Sequence, residues 1–196
     1  MIAIIDYDTG NLRSICNVLD RIGAEYCLTD DPAIIAGCDR VLLPGVGEAS
    51  SAMAKLQERG LCEVIKSLKV PVLGICIGMQ LMCRHSEEGN VDCLGIFDAE
   101  VRKFDPDPKN GVKVPHMGWN CLSEVTSPLF DGIAEGDYMY FVHSYAASVC
   151  SETIAISDNG RSFSAAMQKD NFYGAQFHPE KSGEMGEKLL RNFMNL

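Results

Sequence analysis

The sequence predicts an α/β fold with a mixed central sheet, parallel at first and antiparallel in its C-terminal portion. Three observations carry that expectation. Short apolar runs alternate with amphipathic stretches through the first half, the pattern of strand–helix–strand units around a parallel sheet. The last third instead reads as successive strands separated by turn residues, as antiparallel pairing requires. The chain has 196 residues, enough for one α/β core and too few for two ordinary domains, so residues 1–196 read as a single domain.

Ala3 to Ile5 begin the first strand. From Asn11, apolar residues recur at Leu12, Ile15, Cys16, Leu19 and Ile22, which places them on one helical face, and Gly23 then offers a stop. Glu25 to Leu28 and Arg40 to Leu43 are the next strands; the second runs into Pro44-Gly45-Val46-Gly47, and a helix starts near Ser50 or Ser51. Val70 to Ile75 is the most buried strand proposed. From about Glu87 to Asn120 the pattern is irregular, with Asp105-Pro-Asp-Pro-Lys-Asn-Gly111 as a turn between two short strands. Tyr138 to Val142, Thr153 to Ser157, Ser162 to Gln168 and Phe172 to Phe177 read as antiparallel strands, with turns at Asp158-Asn-Gly160 and Lys169-Asp-Asn171. A closing helix carries Met185, Leu189, Leu190 and Phe193 on one face, and Ser182 followed by Glu184 suits its N-terminus.

Charge and cysteine usage exclude several functions. With 17 basic against 27 acidic residues the formal net charge is −10, a field that repels a phosphate backbone. The longest apolar run, Val70 to Met79, is broken by Pro71, Gly74 and Gly78 and is far shorter than the ~20 residues a membrane-spanning helix needs. Met1-Ile-Ala-Ile-Ile-Asp6 has no basic segment before its apolar residues and does not read as a signal peptide. Nine cysteines, an odd number at irregular spacing and without a Cys-x-x-Cys pair, make a poor disulfide framework and fit a reducing cytoplasm. The histidines at 85, 116, 143 and 178 lack the short spacings of structural zinc sites. Asp6-Tyr-Asp-Thr-Gly10 places two carboxylates where a nucleotide-binding fold cradles phosphate, so no dinucleotide or flavin cofactor is expected. Met79, Met82 and Met117 read as core filler.

The sharpest local signal is Gly74-Ile75-Cys76-Ile77-Gly78, set between the most apolar strand and the helix formers Met79-Gln80-Leu81-Met82. It has the form of a nucleophile elbow, in which flanking glycines remove Cβ atoms that would collide in a sharp strand-to-helix turn. A cysteine there sits at a helix N-terminus, whose partial positive charge favours thiolate. The competing reading, one more buried cysteine in a cysteine-rich core, needs no partner residues, so a base decides between them. Gln176-Phe-His178-Pro-Glu180 supplies one. Pro179 biases His178 toward an extended conformation, where residues two apart face the same side, so Glu180 can orient the imidazole for a nucleophile elsewhere in the fold. Taken alone, this fragment reads equally well as a surface turn. Oxyanion donors are expected from the Ile77 N–H and from the N–H of Val46 or Gly47 in the Gly-rich loop.

These residues resemble the class I glutamine amidotransferases, in which a Gly-x-Cys-x-Gly elbow and a later His-Pro-Glu complete a catalytic triad. The resemblance extends over Gly10-Asn-Leu-Arg-Ser14, Pro44-Gly-Val-Gly47, Gly74-Ile-Cys-Ile-Gly-Met-Gln80, Pro115-His-Met-Gly-Trp-Asn120, Tyr140-Phe-Val-His-Ser-Tyr145 and Gly174-Ala-Gln-Phe-His-Pro-Glu-Lys-Ser182, nearly the whole chain. It implies a three-layer flavodoxin-like fold without cofactor. It implies that Cys76 attacks the glutamine carboxamide, His178 shuttles the proton and Glu180 orients His178. Val46 and Ile77 would hold the oxyanion, and Gly47, Gln80, Ser144 and Tyr145 the substrate. The stretches at 115–120 and 140–145 are similar to those glutaminase subunits of histidine biosynthesis that pass ammonia to a cyclase. In that arrangement the cyclase subunit is a (β/α)₈ barrel, bound over the active-site face as the second half of a heterodimer. Asp8-Thr9 and Glu48-Ala49 depart from the usual family pattern, which more often has glycine and an apolar residue at the first pair and Ala-Phe at the second.

Three other functions compete. Glutaminase subunits of the pyridoxal-phosphate, purine or anthranilate type would keep the triad and change the acceptor. A small cysteine hydrolase would keep it and change the substrate. A non-catalytic flavodoxin-like module would have no use for the coincidence of elbow, His-x-Glu and Gly-rich loop.

Overall fold

The computed structural model describes residues 1–8 and 12–196. The chain runs β1 (Ile2–Ile5), α1 (Leu12–Ile22), β2 (Tyr26–Thr29), α2 (Pro32–Gly37), β3 (Arg40–Leu43), α3 (Ala49–Glu58), α4 (Leu61–Ser67), β4 (Val72–Ile75) and α5 (Ile77–Leu81). Six short strands follow: β5 (His85–Ser86), β6 (Val91–Asp92), β7 (Glu100–Lys103), β8 (His116–Cys121), β9 (Tyr138–His143) and β10 (Tyr145–Ala147). β11 (Thr153–Asp158), β12 (Ser162–Lys169), β13 (Phe172–Ala175) and α6 (Gly183–Asn195) complete it.

The expected α/β fold with a mixed sheet is what forms. Seven strands lie in the order β11-β12-β13-β4-β3-β1-β2. β2, β1, β3, β4 and β13 are mutually parallel, while β12 and β11 join antiparallel. β1, β4 and β13 are buried at every residue, as central strands covered on both faces must be. β2 and β3 flank β1 on opposite sides, so right-handed crossovers place α1 on one face and α2, α3 and α4 on the other. α6 returns to pack on α1, which completes three layers.

Local chemistry accounts for the element boundaries. α1 buries Ile15, Val18, Leu19 and Ile22, and Gly23 ends it at φ 74°. α2, which no hydrophobic periodicity announces, has six residues, too few to show a helical repeat; Asp31 caps it by accepting the Ala33 N–H, with Pro32 in its first turn. The irregular middle contains a small four-stranded sheet, β10-β7-β5-β6.

Two strand expectations are corrected. β9 does not join the main sheet; it pairs with β8 as a two-stranded ribbon, His116 opposite His143 and Cys121 opposite Tyr138. The expected strand Phe172 to Phe177 stops at Ala175, and it is antiparallel only on its β12 side. Its other edge runs parallel to β4, with Gly174 opposite Gly74. A hairpin fixes the first pairing, but the direction of β4 is already set by the crossovers before it. Among the described residues no helix is long and apolar enough to cross a membrane.

Candidate active site

β4 turns into α5 through a single residue, Cys76, held at φ 54° and ψ −109°. That backbone region costs a non-glycine residue on the order of 1–3 kcal/mol. The turn is tight enough that a Cβ on Gly74 would lie 2.7 Å from the Gly78 carbonyl group, and one on Gly78 would lie 1.8 Å from the Leu43 oxygen. Both glycines of the Gly-x-Cys-x-Gly motif are therefore steric requirements. The Cys76 N–H donates to the Ala175 oxygen at 2.7 Å, fastening the elbow to β13.

His178 follows the end of β13 in extended conformation, φ −101° and ψ 97°. Its N–H donates to the Tyr140 oxygen at 2.9 Å and its carbonyl accepts from the Ser182 hydroxyl at 2.7 Å, so its backbone is clamped on both sides. Ring Nδ1 lies 2.8 Å from Glu180 Oε1, with both side chains almost wholly buried. Burial by itself lowers the imidazole pKa, but hydrogen bonds to Cys76 and Glu180, and their charges, outweigh it and push His178 up to about 10.

Cys76 and His178 line one cavity of about 270 Å³. Of the nine site residues expected from the sequence, eight line it: Cys76, His178, Val46, Gly47, Ile77, Gln80, Ser144 and Tyr145. Glu180 sits behind His178, beside a gap of about 10 Å³ shared with Pro44 and Gly45. A larger cavity of about 550 Å³, between Pro128 and the end of α6, has no cysteine or histidine in its lining, and so no thiol to attack and no imidazole to serve as its base.

Sequence reasoning missed three contributors. Gln176 precedes His178 by two residues and received no role from the motif alone; its Nε2 lies 3.7 Å from Cys76 Sγ, and its Oε1 accepts from Gln80 Nε2 at 2.9 Å. The period-two alternation that pairs His178 with Glu180 also reaches Gln176, and that signal was available. Glu88 lines the cavity from a turn; its Oε2 accepts the Ala49 N–H at 3.0 Å. Burial raises its carboxyl pKa, against the Ala49 hydrogen bond and with help from Glu48. His143, the third, also lines the cavity.

The two departures from the family pattern have structural partners. Asp8, at φ 61°, ion-pairs with Arg59, and its carbonyl accepts from Lys55 Nζ at 2.6 Å. Glu48 stands immediately before α3, whose first N–H is the one Glu88 accepts. Thr9, Gly10 and Asn11 lie outside the described residues, so the Gly10 to Ser14 stretch is described only from Leu12. Among the described residues no cluster of His, Cys, Asp and Glu could hold a metal ion.

Comparison with known proteins places this geometry among relatives. A family model described as glutamine amidotransferase class-I matches residues 3–196. The chain is 53% identical over 195 residues to imidazole glycerol phosphate synthase subunit HisH of Bacteroides thetaiotaomicron, covering 100% of this chain and 99% of that one. It is 49% identical over 194 residues to the protein of the same name from Haemophilus influenzae, covering 98% and 96% of the two chains. It superposes on the crystal structure of a putative GMP synthase component from Thermoplasma acidophilum with TM-score 0.74 at 21% identity, over 99% of this chain and 92% of that one. A second crystal structure, of a glutamine amidotransferase, gives TM-score 0.75 at 16% identity, over 100% and 98%. At those identities the structural likeness concerns the fold.

Proposed function

The chain belongs to the class-I glutamine amidotransferases, and from that premise we propose that it is the glutaminase subunit of an imidazole glycerol phosphate synthase, with Cys76, His178 and Glu180 as its triad. The observation that carries the site assignment is the strained elbow at Cys76 sharing a cavity with an imidazole whose far nitrogen is fixed by Glu180 at 2.8 Å. Cys76 Sγ attacks the carboxamide carbon of glutamine. The N–H groups of Ile77 and Val46 stabilise the oxyanion as it develops. His178, protonated at rest and held by Glu180, gives its Nε2 proton to the departing ammonia, which leaves a thioester. His178 then takes a proton from water as it attacks, a second oxyanion forms and collapses, and glutamate is released with the Cys76 thiolate and the protonated His178 restored.

Glutamine offers an ammonium and a carboxylate beyond its amide. Glu88, a half-buried carboxylate in the same cavity, suits the ammonium; Gly47, Gln80 and the Ser144–Tyr145 backbone hold the remaining polar atoms. The ammonia passes to a cyclase partner. Met117, Trp119 and Tyr138, 63%, 55% and 57% exposed on the ribbon next to the cavity, form the apolar face on which that partner docks. We take the chain to act as one domain in the cytoplasm, free of metal and cofactor.

Glutamine hydrolysis measured with and without purified cyclase and its nucleotide ligand tests this. Hydrolysis is expected to be slow alone and to rise sharply with the partner, and Cys76→Ser and His178→Ala are expected to abolish it. Wild-type rates in either variant would sink the catalytic assignment. Equal rates with and without the cyclase would sink the synthase assignment.

A further inference from the structure

A hydrogen-bonded chain through two imidazoles reaches the site from the ribbon. Asn120 Nδ2 lies 3.2 Å from His116 Nε2, His116 Nδ1 lies 2.9 Å from His143 Nε2, and His143 Nδ1 lies 2.8 Å from the Tyr145 carbonyl oxygen. Backbone groups at both ends fix the direction of every bond. The Tyr145 oxygen only accepts, so His143 carries its hydrogen on Nδ1 and, when neutral, accepts at Nε2. His116 must then donate from Nδ1 and accept at Nε2. At the far end Asn120 Oδ1 accepts from the Cys121 N–H at 2.9 Å and Nδ2 donates to the Asp158 carbonyl at 2.7 Å, so the amide turns its nitrogen toward His116.

Protonation of either ring would set two N–H groups face to face. The surroundings prevent it. Burial lowers the pKa of both rings, that of His143 down to about 3. Asp158 opposes this at His116; the Tyr145 carbonyl opposes it at His143, where the charges of His116, His178 and Arg161 add to the lowering. Phe104, Phe141 and Phe163 pack edge-on or stacked around the pair.

The chain ends where glutamine would lie. The Tyr145 oxygen also accepts from Gln80 Nε2 at 2.9 Å, so both of its lone pairs are engaged. Gln80 in turn reaches Gln176, which touches Cys76 Sγ. We infer that His116 and His143 are positioning residues: a one-way relay of two neutral imidazoles, anchored at Asn120, that pins the Tyr145 carbonyl and through it the Gln80 amide at the substrate. The inference rests on the glutaminase reading of the site, but its first test does not.

Nitrogen-15 NMR of the imidazoles in the full chain, from pH 6 to 8, reads the tautomers directly. Both rings are expected to be neutral with hydrogen on Nδ1; an Nε2–H tautomer or a charged ring at either position overturns the relay. Kinetics with the cyclase present read its role. His143→Asn keeps a donor at the Nδ1 position and the contact with Tyr145, whereas His143→Gln reaches only the Nε2 position and loses it. The Gln variant is expected to lose on the order of 10- to 100-fold in kcat/KM for glutamine, chiefly through KM, because small displacements of a positioning group carry costs of that size. The Asn variant is expected to recover most of it. Equal kinetics in the two variants, whether normal or damaged, would overturn the positioning role. An active Cys76→Ser enzyme would instead remove the glutaminase reading and leave the NMR result standing.

Discussion

Gly78 cannot carry a side chain because its Cβ would fall 1.8 Å from the Leu43 oxygen and 2.9 Å from the Leu43 carbonyl carbon, and backbone on both sides cannot yield as a side chain would. Gly37, the last residue of α2, has nothing within 4 Å of the same position. Gly78→Ala is therefore expected to destabilise the chain by about 3 kcal/mol or more, and Gly37→Ala to be neutral or to stabilise by up to about 1 kcal/mol. Urea midpoints of the two variants check this; a Gly78→Ala chain as stable as wild type would contradict the elbow geometry. The elbow was legible in sequence because its constraint is local: the two glycines and the cysteine are three parts of one turn. Glu88 was not, because its place in the cavity comes from a turn folding back on α3, where a Cβ on Gly89 would lie 2.4 Å from Ser50 Cβ. No spacing in the chain records that approach.

Ser182 shows how an element boundary serves the site. The pattern Ser182 then Glu184 suggests a helix cap, yet the hydroxyl makes no capping bond to α6. It donates to the His178 carbonyl at 2.7 Å and accepts the Tyr140 N–H at 3.0 Å, tying the imidazole's backbone to the ribbon. Close packing of α6 beneath makes the arrangement rigid, since a Cβ on Gly186 would fall 1.9 Å from the Pro179 oxygen. Ser182→Ala leaves the Tyr140 N–H without its acceptor, while the His178 carbonyl keeps the Lys181 N–H at 3.0 Å, and is expected to cost about 1–3 kcal/mol and to lower kcat for glutamine hydrolysis, with recovery in Ser182→Thr. Thermal unfolding and steady-state kinetics measure both; a stability loss without any change in kcat would confine Ser182 to folding. The same contrast explains what was legible of the fold. β1, β3, β4, α1 and α6 announce themselves by apolar runs or a helical stripe long enough to count. The β8–β9 ribbon is announced only by its second strand, and its outer face exposes Met117, which was expected in the core, beside Trp119 and Tyr138, so alternation alone cannot say which sheet it belongs to.

Across the molecule, the carboxyl ends of β3, β4 and β13 converge, and the loops that leave them bring Val46, Cys76 and His178 to one cavity, as parallel sheets do with their active-site loops. That convergence buries two imidazoles with opposite electrostatic needs, and stability should register both. His178 has its pKa raised from 6.5 to about 10, so the folded chain holds a proton that the unfolded chain has released. Its contribution is complete below pH 6.5 and is lost as pH rises toward 10. His143 has its pKa lowered from 6.5 to about 3, so the unfolded chain binds a proton that the folded chain refuses, and stability is lost as pH falls from 6.5 toward 3. Each limb has a limiting slope of about 1.4 kcal/mol per pH unit. Equilibrium unfolding in urea between pH 4 and 9 is therefore expected to show greatest stability near neutrality. His143→Asn should flatten the acid limb alone and His178→Asn the alkaline limb alone. An acid limb with undiminished slope in His143→Asn would mean that carboxylates, and not the buried ring, set the acid sensitivity of the fold.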